Sequence, residues 1–418
     1  MLQAAPAGAP GAADGPLSLR RALDLIPLRN PDVGMADIAV RQAEADETTA
    51  GERPNGQLSL STSDINTAGH NGPGSYWDKY YDTIVSFSQT FERGHKRRFR
   101  LDQARASLDA AHSDYANVLR LARLAVSDAY WELKRSEEKL ANAQALADIE
   151  HRSLHAAEQR LHAGDAPALD VQRIRIETAQ ADSALDAARS ARDDARVTLA
   201  GLLAWRGGYE QLATTDDWPA GTPDAAGPGG KPDERADVLA AEQRVHAAEA
   251  ALEGAHALRH RDITFSVQYE HAPAPGPPPT PGNGNTLLGV GVSIPIFTGN
   301  GYHGEIARAH ADLDAAQATR DRAALEAQND LARARADLAA AAARAARYDG
   351  GLLEQARQAA ATAETAYARG GLGLTDLLDA RRAFKAVQDD ATDAHADYAE
   401  AQDALRAAVP NLAEASTP

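Results

Sequence analysis

A chain of 418 residues with a net charge of −17 lacks the excess of Lys and Arg that phosphate neutralisation demands, so composition argues against a nucleic-acid partner. The absence of cysteine removes disulfides, thiolate metal sites and cysteine nucleophiles together. Only 5% of residues are aromatic and Ala supplies much of the 44% hydrophobic fraction, which favours long helices packed through small side chains, and an elongated architecture, over large conventional cores.

Residues 1–16 read as a disordered tail. Met1-Leu2-Gln3 begins no charged segment followed by an apolar one, so an export signal is expected to lie outside the chain as given. No stretch reaches the roughly 18–20 uninterrupted apolar residues of a membrane-spanning helix, but barrel strands need only about 9–11 residues of alternating polarity and escape that test.

From Leu17 onward the chain is a tandem duplication. Asp32, Val33, Ala36, Val40, Ala43 and Glu44 recur as Asp237, Val238, Ala241, Val245, Ala248 and Glu249, about 205 residues downstream. Leu108-Asp109-Ala110-Ala111 recurs as Leu313-Asp314-Ala315-Ala316, and Gly164 with Asp170 recurs as Gly370 with Asp376. The first repeat spans 17–205 and the second 233–409, with residues 410–418 as a tail. Between them, 206–232 is a Gly- and Pro-rich linker unsuited to regular structure.

Each repeat reads as an amphipathic helix, a strand, a loop, a second strand, a very long helix, a tight turn and a returning helix. In the first repeat Leu58, Leu60 and Thr62 alternate with Ser59, Ser61 and Ser63. Val85, Phe87, Gln89 and Phe91 alternate with Ser86, Ser88 and Thr90. The loop from Asp64 to Asp82 carries Gly69, Gly72, Pro73 and Gly74, and its Tyr76, Trp77, Tyr80 and Tyr81 are expected to pack the loop rather than to form a membrane girdle.

From Phe99 to Leu161 no proline or glycine intervenes, and the apolar steps of three and four predict one helix on the order of 90 Å long. The returning helix carries a seam at Val171, Ile174, Thr178, Ala181, Leu185, Ala188, Arg192, Ala195, Leu199 and Leu202. In the second repeat, strands are expected around Phe265, Val267 and Tyr269 and around Val290, Val292 and Ile294. The loop between them, Ala272 to Asn285, holds six prolines. A long helix follows from Glu305 to Arg369, interrupted by Gly350-Gly351 as a bend, and its return carries a seam at Leu377, Ala380, Phe384, Val387, Ala391, Ala394, Tyr398, Ala401, Leu405 and Ala408. Four strands cannot close a water-filled barrel and their edges cannot stand unpaired in lipid, so several chains must pool them.

The fold class is therefore α+β, mostly α: tandem-duplicated helical hairpins with four strands per protomer. This arrangement, with Gly164 to Val171 and Gly370 to Leu377 at the hairpin tips, resembles the TolC-like outer-membrane efflux proteins over roughly Leu17 to Pro410. Within that family, Ser88-Gln89-Thr90-Phe91-Glu92-Arg93-Gly94 followed by Lys96, Arg97 and Arg100 resembles the heavy-metal branch serving cobalt, zinc, cadmium, nickel or copper pumps. His95 stands where that pattern has a second glycine. Ser293-Ile294-Pro295-Ile296-Phe297 followed by Gly299 is similar to the second strand-to-helix elbow.

The resemblance implies a homotrimer in the bacterial outer membrane, with a twelve-stranded barrel and a periplasmic α-barrel. Its helix tips (Gly164, Pro167, Gly370 and Gly371) would dock on a periplasmic adaptor and an inner-membrane RND pump. Gly94, Pro295 and Gly299 are the expected elbow residues: proline ends strand pairing and glycine lets the chain turn into the helix. Asp376 and Asp379, one helical turn apart, are candidates for carboxylate rings at a periplasmic gate, with Asp165 and Asp170 at the other tip; solvated acids at a helix start are the plainer alternative.

The basic run Lys96, Arg97, Arg98 and Arg100 is expected at the inner edge of the barrel, against lipid phosphates. His151 with His155 and His256 with His260 stand four residues apart, a spacing that could present two ligands to a divalent metal on one face, but with no carboxylate triad nearby in the pattern solvated histidines are the expectation. No nucleophile elbow, phosphate loop or metalloprotease motif appears, so neither catalysis nor a cofactor is expected. The competing readings are a structural coiled coil, which leaves the strands unexplained, and an efflux adaptor, which would carry one hairpin rather than two.

Overall fold

A computed structural model of the chain describes residues 16–69, 71–72, 74–165, 167–219, 231–273 and 284–409. Residues 1–15 and 410–418 of the expected tails, and 220–230 of the expected linker, lie outside the described residues. In chain order the elements are α1 (Leu19–Arg29), α2 (Pro31–Gly51), β1 (Gln57–Ser63), β2 (Asp82–Phe91), α3 (Lys96–His162) and α4 (Ala168–Leu202). They are followed by α5 (Ala236–Ala257), β3 (Ile263–Pro273), β4 (Gly284–Ser293), α6 (His303–Arg347), α7 (Leu353–Ala368) and α8 (Leu374–Ala408). Apart from α1, which sequence periodicity did not reveal, the order helix, strand, strand, long helix, return occurs twice.

The chain forms two compact units, and each draws on both repeats. One comprises Met1–Ala39, Ser113–Leu239 and Arg322–Pro418; the other comprises Val40–His112 and Ala240–Asp321.

The first unit is helical. The α4 seam is buried at Val171, Ile174, Thr178, Ala181, Leu185, Ala195 and Leu199, seven of the ten expected positions. Alanine dominates the α8 seam, where Ala391, Ala394, Ala401 and Ala408 alternate with Tyr398 and Leu405. Small side chains at such positions let helix axes approach closely, so packing rests on many short contacts rather than on a few large side chains. At Gly350-Gly351 the expected bend is present: a π-helical segment, Tyr348–Leu352, separates α6 from α7, and Gly351 has φ 112°.

The largest core cluster gathers Ile26, Val33, Tyr130, Leu133, Leu199, Leu203 and Leu212. Leu212 lies in the segment that composition marks as a linker, and so does Trp218, whose indole stacks on Trp131 at 5.7 Å. Leu17 donates its N–H to the Ala213 carbonyl at 2.7 Å and bridges to Thr214. Asp216 accepts from the Leu19 N–H (2.6 Å) and from the Tyr130 hydroxyl (2.7 Å), which in turn accepts from the N–H groups of Thr215 and Asp216 at 3.2 Å each. Burial pushes the Tyr130 phenol up to about 12. This one hydroxyl ties the start of α1 and the 213–216 segment to the middle of α3.

A second polar network joins α3 to α8. Arg135 pairs with Glu400 at 2.8 Å and with Asp397 at 3.3 Å, while Lys139 pairs with Asp393 at 2.6 Å. Trp131 Nε1 donates to Asp403 at 2.8 Å. Burial raises Asp128 to about 6, with Asp403 adding to the shift. Burial likewise raises Glu400 to about 7, against the pull of Arg135.

The second unit contains a four-stranded antiparallel sheet in the order β1-β2-β3-β4. Register sets Leu58 against Phe87, Leu60 against Val85, Phe87 against Val267, and Val267 against Val290. One face is therefore apolar, and the other carries Ser59, Ser86, Thr90, Thr264, Ser266 and Gly291. Strands β3 and β4 run on to pair Pro273 with Gly284, so the ends of the expected Ala272–Asn285 loop are strand; residues 274–283 lie outside the described residues. The aromatic residues of the first loop pack on one another and on the sheet end, Tyr76 against Trp77 at 5.3 Å and Trp77 against His271 at 5.6 Å.

Two outcomes test the first unit. Tyr130→Phe should cost about 1–2 kcal/mol in urea unfolding, because it removes the donor to the Leu17 carbonyl and the Asp216 carboxylate and leaves the partly buried Asp216 N–H short of an acceptor. Asp128 and Glu400 hold protons in the folded state that the unfolded chain has released, so stability should fall as pH rises from about 4 to about 7 and then level off. A double Asp128→Asn, Glu400→Gln variant should flatten that dependence in thermal melts taken across pH 4–8.

Candidate functional site

Two features of the fold face outward with chemistry that the cores do not consume. One is the pair of hairpin tips in the first unit; the other is the sheet with its elbows in the second.

At the first tip α3 ends in a left-handed Gly164 (φ 80°), with the Asp165 N–H donating to the Arg160 carbonyl at 2.8 Å. Pro167 is the N-cap of α4, and Asp170 stands in its first turn. At the second tip Gly370 is left-handed (φ 75°), the Gly371 N–H donates to the Ala366 carbonyl at 2.9 Å, and Gly373 caps α8 ahead of Asp376. The tips meet: Ala157, Val171 and Ile174 of the first hairpin share one apolar cluster with Leu374 and Leu378 of the second. Asp165, Asp376 and Asp379 are exposed and Asp170 is half-buried. Asp379 pairs with Arg382 at 3.0 Å, so within one chain it is part of an ion pair while Asp376 faces outward beside its helix cap.

Just past these acids, two adjacent arginines of α8 reach in different directions. Arg381 pairs with Glu150 of α3 at 3.0 Å and with Glu364 of α7 at 3.2 Å, and Arg382 pairs with Glu177 of α4. Glu150 is only 5% exposed; burial raises its pKa while Arg381 opposes the rise. A cavity of about 220 Å³ lies beside this clamp, lined by Leu146, Ala181, Ala184 and Leu378 among the charged groups. Sequence reading singled out the tip acids and passed over the clamp. The Arg381-Arg382 doublet was visible, but Glu150 and Glu177, its partners on the other hairpin, lie more than 200 residues away, at a spacing no local period encodes.

In the second unit the chain turns from strand to helix twice. Gly94 is left-handed (φ 73°), and a Cβ there would lie 2.5 Å from the His260 side chain, so glycine is required twice over. His95, in the place of a second glycine, is itself left-handed (φ 60°) and its carbonyl accepts from the Phe99 N–H at the start of α3. The second elbow is built differently from the expectation. Pro295 follows the end of β4, but Gly299 has open space around it, and the left-handed residue is Tyr302 (φ 57°), whose carbonyl accepts from Ile306. Both long helices thus begin immediately after a left-handed non-glycine residue.

The basic run is largely absorbed by these elbows. Lys96 pairs with Asp262 at 2.9 Å, Arg97 donates to the Gly51 carbonyl, Arg98 pairs with Asp102 and Arg100 with Glu92. Of the spaced histidines, His151 pairs with Asp182 at 2.9 Å and His155 with Gln159 at 3.0 Å. His256 and His260 do not share a helix, since α5 ends at Ala257. Among the described residues no group of three or more His, Cys, Asp or Glu side chains converges as a metal centre.

The sheet is the less ordinary surface. Leu58, Leu60, Leu288, Val290 and Val292 are each at least 60% exposed on one face, and β1 and β4 each have one paired neighbour. Among the described residues no helix is long and apolar enough to cross a membrane. Residues 22–204 and 233–410, one stretch in each repeat, both match the family described as outer membrane efflux protein.

The chain belongs to that family.

Its similarity to the cobalt-zinc-cadmium resistance protein CzcC of Cupriavidus metallidurans is 26% identity over 204 residues, and the match spans about half of each, 49% of this chain and 46% of that protein. The fold is shared with a membrane protein from Pseudomonas aeruginosa (TM-score 0.77, 20% identity, 95% of this chain and 93% of that one). It is also shared with the outer membrane protein VceC from Vibrio cholerae (TM-score 0.73, 21% identity, 93% and 95%).

The clamp at the tips yields a direct test. Arg381→Met leaves Glu150 buried beside no cation and should cost about 3 kcal/mol, read as a lowered urea midpoint and earlier protease cleavage near residues 365–385; Arg381→Lys should recover part of the loss.

Proposed function

We propose that this protein is one protomer of a homotrimeric exit duct in the bacterial outer membrane, the last component of a tripartite efflux system. The observation that carries the reading is the sheet: four strands, an exposed apolar face, an opposite face of Ser, Thr and Gly, and a free edge at either side. In lipid, unpaired backbone N–H and C=O groups cost several kcal/mol each, and closure is the only arrangement that satisfies them all. Three copies supply twelve strands, with the apolar face toward lipid and the small polar face toward a water-filled lumen.

The long hairpins continue this barrel as a periplasmic α-barrel whose tips meet a periplasmic adaptor and, through it, an RND pump. Gly164, Pro167, Gly370 and Gly371 shape that docking end, while Gly94, Pro295 and Gly299 belong to the passages from barrel to helix. Asp376 and Asp379, with Asp165 and Asp170 beside them, form the cation-attracting entrance when threefold symmetry brings their copies together. Divalent heavy-metal cations are the proposed cargo; the likeness to the cobalt-zinc-cadmium resistance protein supports this, together with the acidic entrance.

Expression behind an export signal should give an outer-membrane band that migrates as a trimer on gels and collapses to monomer on heating. A soluble monomer would overturn the duct. In planar bilayers the trimer should conduct with preference for cations, and Asp376→Asn with Asp379→Asn should reduce that preference without changing trimer yield; an unchanged selectivity would remove these residues from the entrance.

A further inference from the structure

We propose that His256 and His310 form a two-imidazole binding site for a divalent transition-metal ion, joining α5 to α6. His256 lies in the last turn of α5, and His310 lies on α6 two turns from its start. Their ring centroids are 5.9 Å apart, with the planes at 81°. A metal–nitrogen bond of about 2.0–2.1 Å places an ion about 3.2 Å from each ring centre, so two imidazoles on one ion have centres about 5.2 Å apart at a tetrahedral angle and about 6.4 Å apart when opposed. The observed separation falls inside that interval.

The neighbouring histidines are otherwise engaged. His260 packs against Gly94, and His303 Nδ1 lies 3.3 Å from an Arg259 guanidinium nitrogen, which makes it an acceptor rather than a ligand. The site therefore supplies two protein ligands, with water completing the shell. Imidazole selects Cu²⁺, Ni²⁺, Co²⁺ and Zn²⁺ over Mg²⁺ and Ca²⁺, which prefer oxygen. Two ligands hold such an ion reversibly, in contrast to the closed four-ligand centres that make metal part of a fold. The inference stands on ring geometry and not on the cargo proposed above: a duct for organic cargo would carry the same site.

The test uses the full chain in detergent, with Cu²⁺ added below one equivalent and followed by electron paramagnetic resonance and by competition with a chelator of known affinity. The wild-type spectrum should show coupling to two imidazole nitrogens. His256→Gln and His310→Gln should each weaken the tightest site by about tenfold or more and leave one nitrogen, and the double variant should show no imidazole coupling from this site. His151→Gln, remote in sequence and paired with Asp182, should change nothing. Helical circular dichroism equal to wild type shows that the variants fold. Wild-type affinity with two-nitrogen coupling in either single variant would overturn the site, whatever cargo the transport assay reports.

Discussion

A backbone that enters hydrocarbon must satisfy its own hydrogen bonds, and this chain by itself does not. Among the described residues, β1 and β4 each have one paired neighbour, so their outer edges present rows of N–H and C=O groups on a sheet whose Leu, Val and Phe face is already outward. Assembly follows from the strand chemistry once the sheet is placed in lipid as proposed, and the elbows are where the sheet is tied to the helix that follows it. Asp262, Glu92 and the Gly51 carbonyl take up Lys96, Arg100 and Arg97, fixing the start of α3 against the end of the sheet.

In the helical unit, seams made largely of alanine give little burial per residue, and specificity comes from what is interleaved with them. Tyr130, Arg135, Arg381 and Asn30 each bind groups distant in sequence; Asn30 donates to the Leu202 carbonyl at 2.9 Å while its side-chain oxygen accepts from Asp32 and Val33 at the start of α2. Such buried polar contacts contribute modestly to net stability, but each is costly to misplace, so they select one register among several that a run of alanines would tolerate.

Much of this was legible in the residues. The period-two alternation at 58–63 and 85–91 located strands, and the steps of three and four from Val171 to Leu199 named the buried face of α4 almost position by position, because both patterns are local. What escaped had non-local causes. Leu17 to Arg29 holds a short helix that carries Pro27, and its start is received by Asp216 and Tyr130, far along the chain. Leu212 and Trp218 lie in Gly- and Pro-rich sequence that reads as a tether, and only packing against residues of α1, α3 and α4 explains the burial of Leu212 and the partial burial of Trp218. Left-handed His95 and Tyr302 carry no compositional signal, since glycine is the residue that marks such positions. At the tips, the acids announced themselves by spacing and turn chemistry, whereas the arginines that hold the hairpins together depend on partners brought in by the fold.

The two hairpins are copies by descent but not in mechanics. Helix α3 is an unbroken strut of 67 residues, whereas its counterpart is interrupted at Tyr348–Leu352 by a π segment in which Gly351 leaves helical geometry. A wider turn and a residue outside the hydrogen-bonded ladder lower the bending stiffness there relative to uninterrupted helix. Load applied to the tips is therefore shared unequally: the first hairpin resists as a rod, and the second yields at a built-in flexure, with α7 swinging on the Gly351 joint.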